Sequence, residues 1–100
     1  MNTILNNVQP NIAKLCRKYG VRQLYAFGSV LTPRFNKDSD VDFLVDFKKE
    51  EIEDYFTNYF DLKYALEALL GREVDLVEDD TIHNPVFRSN VDRTKSMIYG

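Results

Sequence analysis

The chain has 100 residues, a net charge of −3, and is 44% hydrophobic and 29% charged. That is enough apolar material for one core and one domain over 1–100, and it excludes disordered and collagen-like classes. A single Cys (Cys16) and a single His (His83) exclude an internal disulfide, a Cys-rich zinc site and a multi-histidine metal centre.

The elements follow in chain order. Residues 11–19 place Ile12, Leu15, Cys16 and Tyr19 at helical spacing. Pro10 suits the first turn of that helix and Gly20 its stop. VRQLYAF, 21–27, reads as a strand running into Gly28 and Ser29. Residues 30–39 read as a short helical turn followed by loop. VDFLVDF, 41–47, is a strand with Val41, Phe43, Val45 and Phe47 on one face and Asp42, Leu44 and Asp46 on the other. A long helical pattern runs from about Glu51 to Leu70, acidic in its first turns and stopped by Gly71. REVDLV, 72–77, is a short strand. Residues 84–95 form a helix capped by Asn84 with Pro85 at its first position. SMIY, 96–99, extends that helix or forms a last strand. The order predicts an α/β fold with a small mixed sheet flanked by helices.

No run of 18 apolar residues marks a transmembrane helix. The opening MNTILNNVQP lacks the basic n-region of a signal peptide. The expected setting is a reducing cytoplasm. Net acidity argues against general nucleic-acid binding, so Lys14, Arg17, Lys18 and Arg22 read as a solvated face.

The chemistry concentrates in a few residues. Asp40 and Asp42 stand two apart at a strand entrance, so both carboxylates point to one side. Like charges held that close need a cation between them or a proton on one. Magnesium, with Mn²⁺ as a substitute, takes carboxylate oxygens and completes its shell with water and phosphate. Asp75 sits inside an otherwise apolar strand and joins the pair if the two strands are neighbours. Three converging carboxylates can hold two metals, one at the attacking oxygen and one at the phosphates. Gly28 permits a tight turn and close backbone approach, and Ser29 opens a helical turn whose free N–H groups suit a triphosphate.

A calcium loop counted from Asp38 would need Gly and Glu where the chain has Phe43 and Lys49, so it is rejected. Asp46 shares a face with Asp42 but lies too far along the strand to join its metal. His83 reads as a loop residue and Cys16 as core. Tyr55, Tyr59 and Phe60 are numerous for one helix, and an incompletely buried partner patch is expected there.

The stretch GSVLTPRFNKDSDVDFLVDF resembles the signature of the DNA polymerase beta nucleotidyltransferase superfamily: Gly-Ser, ten residues, Asp-x-Asp. The short length, the preceding helix and the later VDLV are similar to its minimal nucleotidyltransferases, relatives of which are antitoxins paired with HEPN-domain toxins. Where many relatives carry Arg and Gly after Gly-Ser, this chain has Thr32 and Pro33, with Arg34 displaced. The resemblance implies that Gly28 and Ser29 bind nucleotide phosphate and that Asp40 and Asp42 bind Mg²⁺, with Asp75 as the third catalytic carboxylate. It also implies AMP transfer from ATP to a hydroxyl, expected on a tyrosine of a HEPN-type partner. The alternatives are an inactive binding module and a small-molecule nucleotidyltransferase.

Overall fold

The computed structural model describes residues 3–100; Met1 and Asn2, at the head of the segment that lacks a basic n-region, lie outside the described residues. The chain runs α1 (Thr3–Lys18), β1 (Val21–Phe27), a 3-10 turn (Gly28–Leu31), β2 (Val41–Phe47), a second such turn (Lys49–Glu51) and α2 (Tyr55–Leu70). It continues through β3 (Val74–Glu78), a third turn (Asp79–Thr81), α3 (Pro85–Thr94) and β4 (Ser96–Tyr99). The sheet order is β3-β2-β1-β4. β1 is antiparallel to β2 and to β4, and β2 is parallel to β3. The sheet is therefore small and mixed, as the element order predicts. Two parallel neighbours need a long crossover, and α2 supplies it.

Strand alternation sorts the faces. Val41, Phe43, Val45 and Phe47 are buried on one side of β2, against Leu5, Ile12 and Cys16 of α1 and Leu62, Leu66 and Leu70 of α2. On the other side Leu44 is fully buried with Phe27 of β1 and Val91 of α3. α3 thus covers part of the second face, the one to which Asp42 also belongs by alternation. Among the described residues no helix is long and apolar enough to cross a membrane.

Three boundaries differ from the sequence reading. α1 begins at Thr3, with Pro10 inside it rather than in its first turn. The apolar stripe continues upstream through Val8 to Leu5, which is fully buried. Burying a Leu is worth about 1.5–3 kcal/mol, comparable with the roughly 3 kcal/mol that an interior proline costs. α2 begins at Tyr55 instead of Glu51, so its first turn holds no acid. Asp54 caps it instead, accepting from the Thr57 N–H at 3.2 Å, while Glu50 and Glu51 sit in the preceding 3-10 turn. β3 spans Val74–Glu78, because Gly71 ends α2 in the left-handed region (φ 69°) and residues 72–73 are spent turning toward the sheet.

Candidate active site

The register aligns the site. Phe27 pairs with Asp42 across β1 and β2, and Asp42 pairs with Asp75 across β2 and β3. In-register residues of neighbouring strands point to the same face, so the two carboxylates share one side at one end of the sheet. Asp40 stands two residues before Asp42, just ahead of β2. Asp42 is half-buried, while Asp40 and Asp75 are exposed. Burial raises the Asp42 pKa above its ordinary value, and the charges of Asp75 and Asp40 push it further the same way. The three predicted acids are thus brought together electrically around Asp42.

They are not drawn into a closed cage. Among the described residues no three acidic, histidine or cysteine side chains are gathered tightly enough to form a ready metal centre. Mutual repulsion of three carboxylates favours that spread. The donor set is nonetheless all hard oxygen, which fits magnesium, and a divalent cation would relieve the very repulsion that raises Asp42.

Gly28 closes the other side. Its φ is +78°, in the left-handed region. A Cβ built there would collide with the Asp42 carboxylate. Glycine is therefore required twice, for the turn and for the approach of Asp42. Ser29 is half-buried in the 3-10 turn, and its hydroxyl has no protein partner among the described residues. Its carbonyl accepts from both the Thr32 N–H and the Thr32 hydroxyl at 2.9 Å. Thr32 therefore braces the turn. Arg34 is exposed and donates only its backbone N–H to Thr32 Oγ1, at 3.3 Å.

Other sequence expectations sort as follows. Asp46 lies 3.7 Å from Arg22, which also grips Glu50 at 2.6 Å, so Asp46 belongs to a surface ion pair. His83 is exposed in the loop before α3, and Cys16 is buried with its thiol pushed up to about 12 by burial. Tyr55, Tyr59 and Phe60 are each only half-buried, as expected, but the rings divide between two directions. The Tyr55 hydroxyl donates to Glu78 and the Tyr59 hydroxyl to the Leu76 carbonyl, so both rings turn toward β3. The outward row is Phe56, Phe60 and Tyr64, one helical turn apart, with Phe56 72% and Tyr64 58% exposed. A cleft of about 310 Å³ lies at the opposite end of β1, lined by Arg17, Lys18, Gly20, Glu51 and Asp54, and includes none of the carboxylate group.

Sequence reasoning missed Arg72. Its guanidinium donates to the backbone carbonyls of Asn36 and Ser39, at 2.9 and 2.8 Å, in the loop that leads to Asp40.

Comparison with known families matches the nucleotidyltransferase domain over residues 12–98. The chain belongs to the nucleotidyltransferase-domain family. It is similar to the protein adenylyltransferase MntA of Thermococcus cleftensis, 40% identical over 76 residues, covering 76% of this chain and 74% of that one. A solved structure described as a minimal nucleotidyltransferase superposes with a TM-score of 0.78 at 32% identity, covering 96% and 95% of the two chains. A chain in the structure of a tri-AMPylated Shewanella oneidensis HEPN toxin with MNT antitoxin superposes with a TM-score of 0.67. It covers 96% of this chain and 72% of that one at 22% identity, a likeness of fold. The fold is that of a minimal nucleotidyltransferase and the enzyme class is nucleotidyl transfer.

Proposed function

We propose that this chain transfers AMP from ATP to a tyrosine hydroxyl of a small helical HEPN-type toxin, and so acts as its antitoxin. The observation that carries the reading is Asp42: half-buried, flanked by Asp40 and Asp75, with its carboxylate oxygen lying where a Cβ on Gly28 would stand. The names of the relatives supply the acceptor class. Asp40, Asp42 and Asp75 would hold Mg²⁺. When bound, the metal offsets triphosphate charge and makes the acceptor hydroxyl easier to deprotonate. Gly28 and Ser29 offer N–H groups and a free hydroxyl to the phosphates. The acceptor oxygen attacks the α-phosphorus, the bond to the β-phosphate oxygen breaks, and pyrophosphate leaves. Asp75, exposed at the rim, takes the phenolic proton. The abundance of ATP and the lone buried thiol both suit a cytoplasmic setting.

The test is intact-mass measurement of a HEPN-type toxin after incubation with the chain, ATP and Mg²⁺. Addition of AMP to tyrosine is expected. A stable complex with no added AMP would replace this reading with a binding-only antitoxin.

A further inference from the structure

The segment from Thr32 to Asp40 carries one of the site's carboxylates yet has no helix or strand. Its own bonds make it compact. The Asn36 N–H donates to Ser39 Oγ at 3.1 Å, the Asp38 N–H to Asn36 Oδ1 at 2.9 Å, and the Ser39 N–H to the Asn36 carbonyl at 3.1 Å. These bonds are internal to the loop; Phe35 rests against the main core, and the residues after it, up to Asp40, need a further tie to the sheet.

Arg72 supplies that tie. Its Nη1 bridges the Asn36 and Ser39 carbonyls, and its guanidinium carbon lies 4.5 Å from the centroid of the Phe35 ring. The loop is thereby held at its first ring and at the peptide that leads into Asp40. Arg72 is itself well anchored. Gly71 caps α2 just before it, and just after it the Val74 N–H donates to the Glu67 carboxylate of α2 at 3.0 Å. Among the described residues Arg72 enters no ion pair, and its Nε is buried without a partner. Its side-chain hydrogen bonds and its ring contact all go to the loop. Three residues further on, the same strand carries Asp75.

We propose that Arg72 is a positioning residue of the transfer site. It clamps the Phe35–Ser39 loop to the entrance of β3, so that Asp40 from the loop and Asp75 from the strand are held at a fixed separation around Asp42. This rests on the reading of those three acids as the metal–nucleotide site. The planar fork and the stacking face explain why arginine serves here; lysine offers neither.

The test compares the full chain with Arg72→Met, which keeps the stem, and Arg72→Lys, which keeps the charge. Hydrogen exchange reads the clamp, and titration with Mn²⁺ alone, followed by the loss of the free-ion resonance signal, reads the site. In Arg72→Met the amides of Asp38 and Ser39 should exchange about tenfold faster or more, while those of α2 keep their protection. Mn²⁺ affinity should fall about 10-fold to 100-fold, the usual effect of losing a residue that orients metal ligands. Arg72→Lys should recover only a minor part of both. Unchanged exchange in the loop, or a freed loop with unchanged Mn²⁺ affinity, overturns the proposal. If Arg72→Met loses protection throughout, Phe35→Leu removes the stacking face while keeping an apolar side chain against the core, and must still show loosening confined to residues 35–40. A wild-type chain that binds no Mn²⁺ would sink the metal-site reading instead, and the exchange data would then speak to the clamp by themselves.

Discussion

At the residue scale the site is governed by one half-buried acid. Burial, then Asp75, then Asp40 raise the Asp42 pKa above 3.8, so the folded protein holds that proton more tightly than the unfolded chain does. For a raised carboxylate the sign is fixed: metal-free stability from this group is present below about 3.8, its usual value, and is lost as pH climbs through the raised value. Asp42→Asn removes the charge and keeps the shape. It should raise the melting temperature of the metal-free protein at pH 7 by a few degrees, yet abolish the rise produced by Mg²⁺ with ATP. A calorimetric scan with and without ligand reads both, and a metal-dependent rise that survived in the mutant would remove Asp42 from the site. Gly28→Ala tests the neighbour. Left-handed backbone alone should cost about 1–2 kcal/mol in urea unfolding. Because the new Cβ also displaces the Asp42 carboxylate, nucleotide affinity should fall further than in Ser29→Ala, where one hydrogen bond to a charged group is worth roughly 1.5–3 kcal/mol. Equal affinity in Gly28→Ala and wild type would show that the close approach is unimportant.

At the element scale, stability depends on how each helix end is tied down. α3 is the shortest α-helix described and carries the second, smaller core through Val91. Arg88 clasps it in place, donating to Asp79 at 2.7 Å and to Asp92 one turn on at 2.7 Å. Hydrogen bonds from Arg88 first, then from Lys95, lower the Asp92 pKa to about 2. A depressed carboxylate contributes stability above its unfolded pKa, and the contribution disappears as pH falls through the folded value. The melting temperature should therefore drop between pH 4 and about 2, and Asp92→Asn should flatten that part of the curve. A mutant with the same acid slope as wild type would show that the clasp carries no weight. Element boundaries were legible where alternation and punctuation agreed: β1 and β2 end where the apolar pattern meets Gly28 and the polar loop. They were less legible where a rule of thumb met a tertiary demand. Pro10 reads as a helix start, but the stripe through Leu5 and Val8 needs the helix to continue past it. Glu51, Glu53 and Asp54 read as an acidic first turn, whereas Asp54 alone meets a free N–H, as the cap before the helix.

At the scale of the whole molecule, the candidate site lies where β1 stops and β2 and β3 start, and its members stand out in the chain. Gly28, Ser29, Asp40, Asp42 and Asp75 are residue types whose chemistry contradicts the apolar strands around them, and the register places Asp42 beside Asp75. Arg72 could not be read in the same way, because its partners are backbone carbonyls, which carry no residue signature. Nor could the direction of the α2 rings: Tyr55 and Tyr59 face β3 because their hydroxyls find acceptors there, and Phe56, Phe60 and Tyr64 are left facing out. Asp75 is exposed at the carboxylate end of the sheet, its backbone held in the β2–β3 ladder, and among the described residues no hydrogen bond or ion pair ties its carboxylate down. Asp75→Asn should therefore leave the fold intact, with a melting temperature equal to or slightly above that of wild type. Under the proposed function it should also leave the HEPN-type partner bound, because one rim carboxyl contributes little to an interface of ordinary size. Transfer of AMP should fall by about 10²-fold or more, the scale of losing a positioned general base. Size-exclusion chromatography and partner mass, measured on the same sample, separate the outcomes. A co-eluting complex without added AMP is expected; transfer at the wild-type rate would return Asp75 to the status of a surface acid and leave the proton to another acceptor.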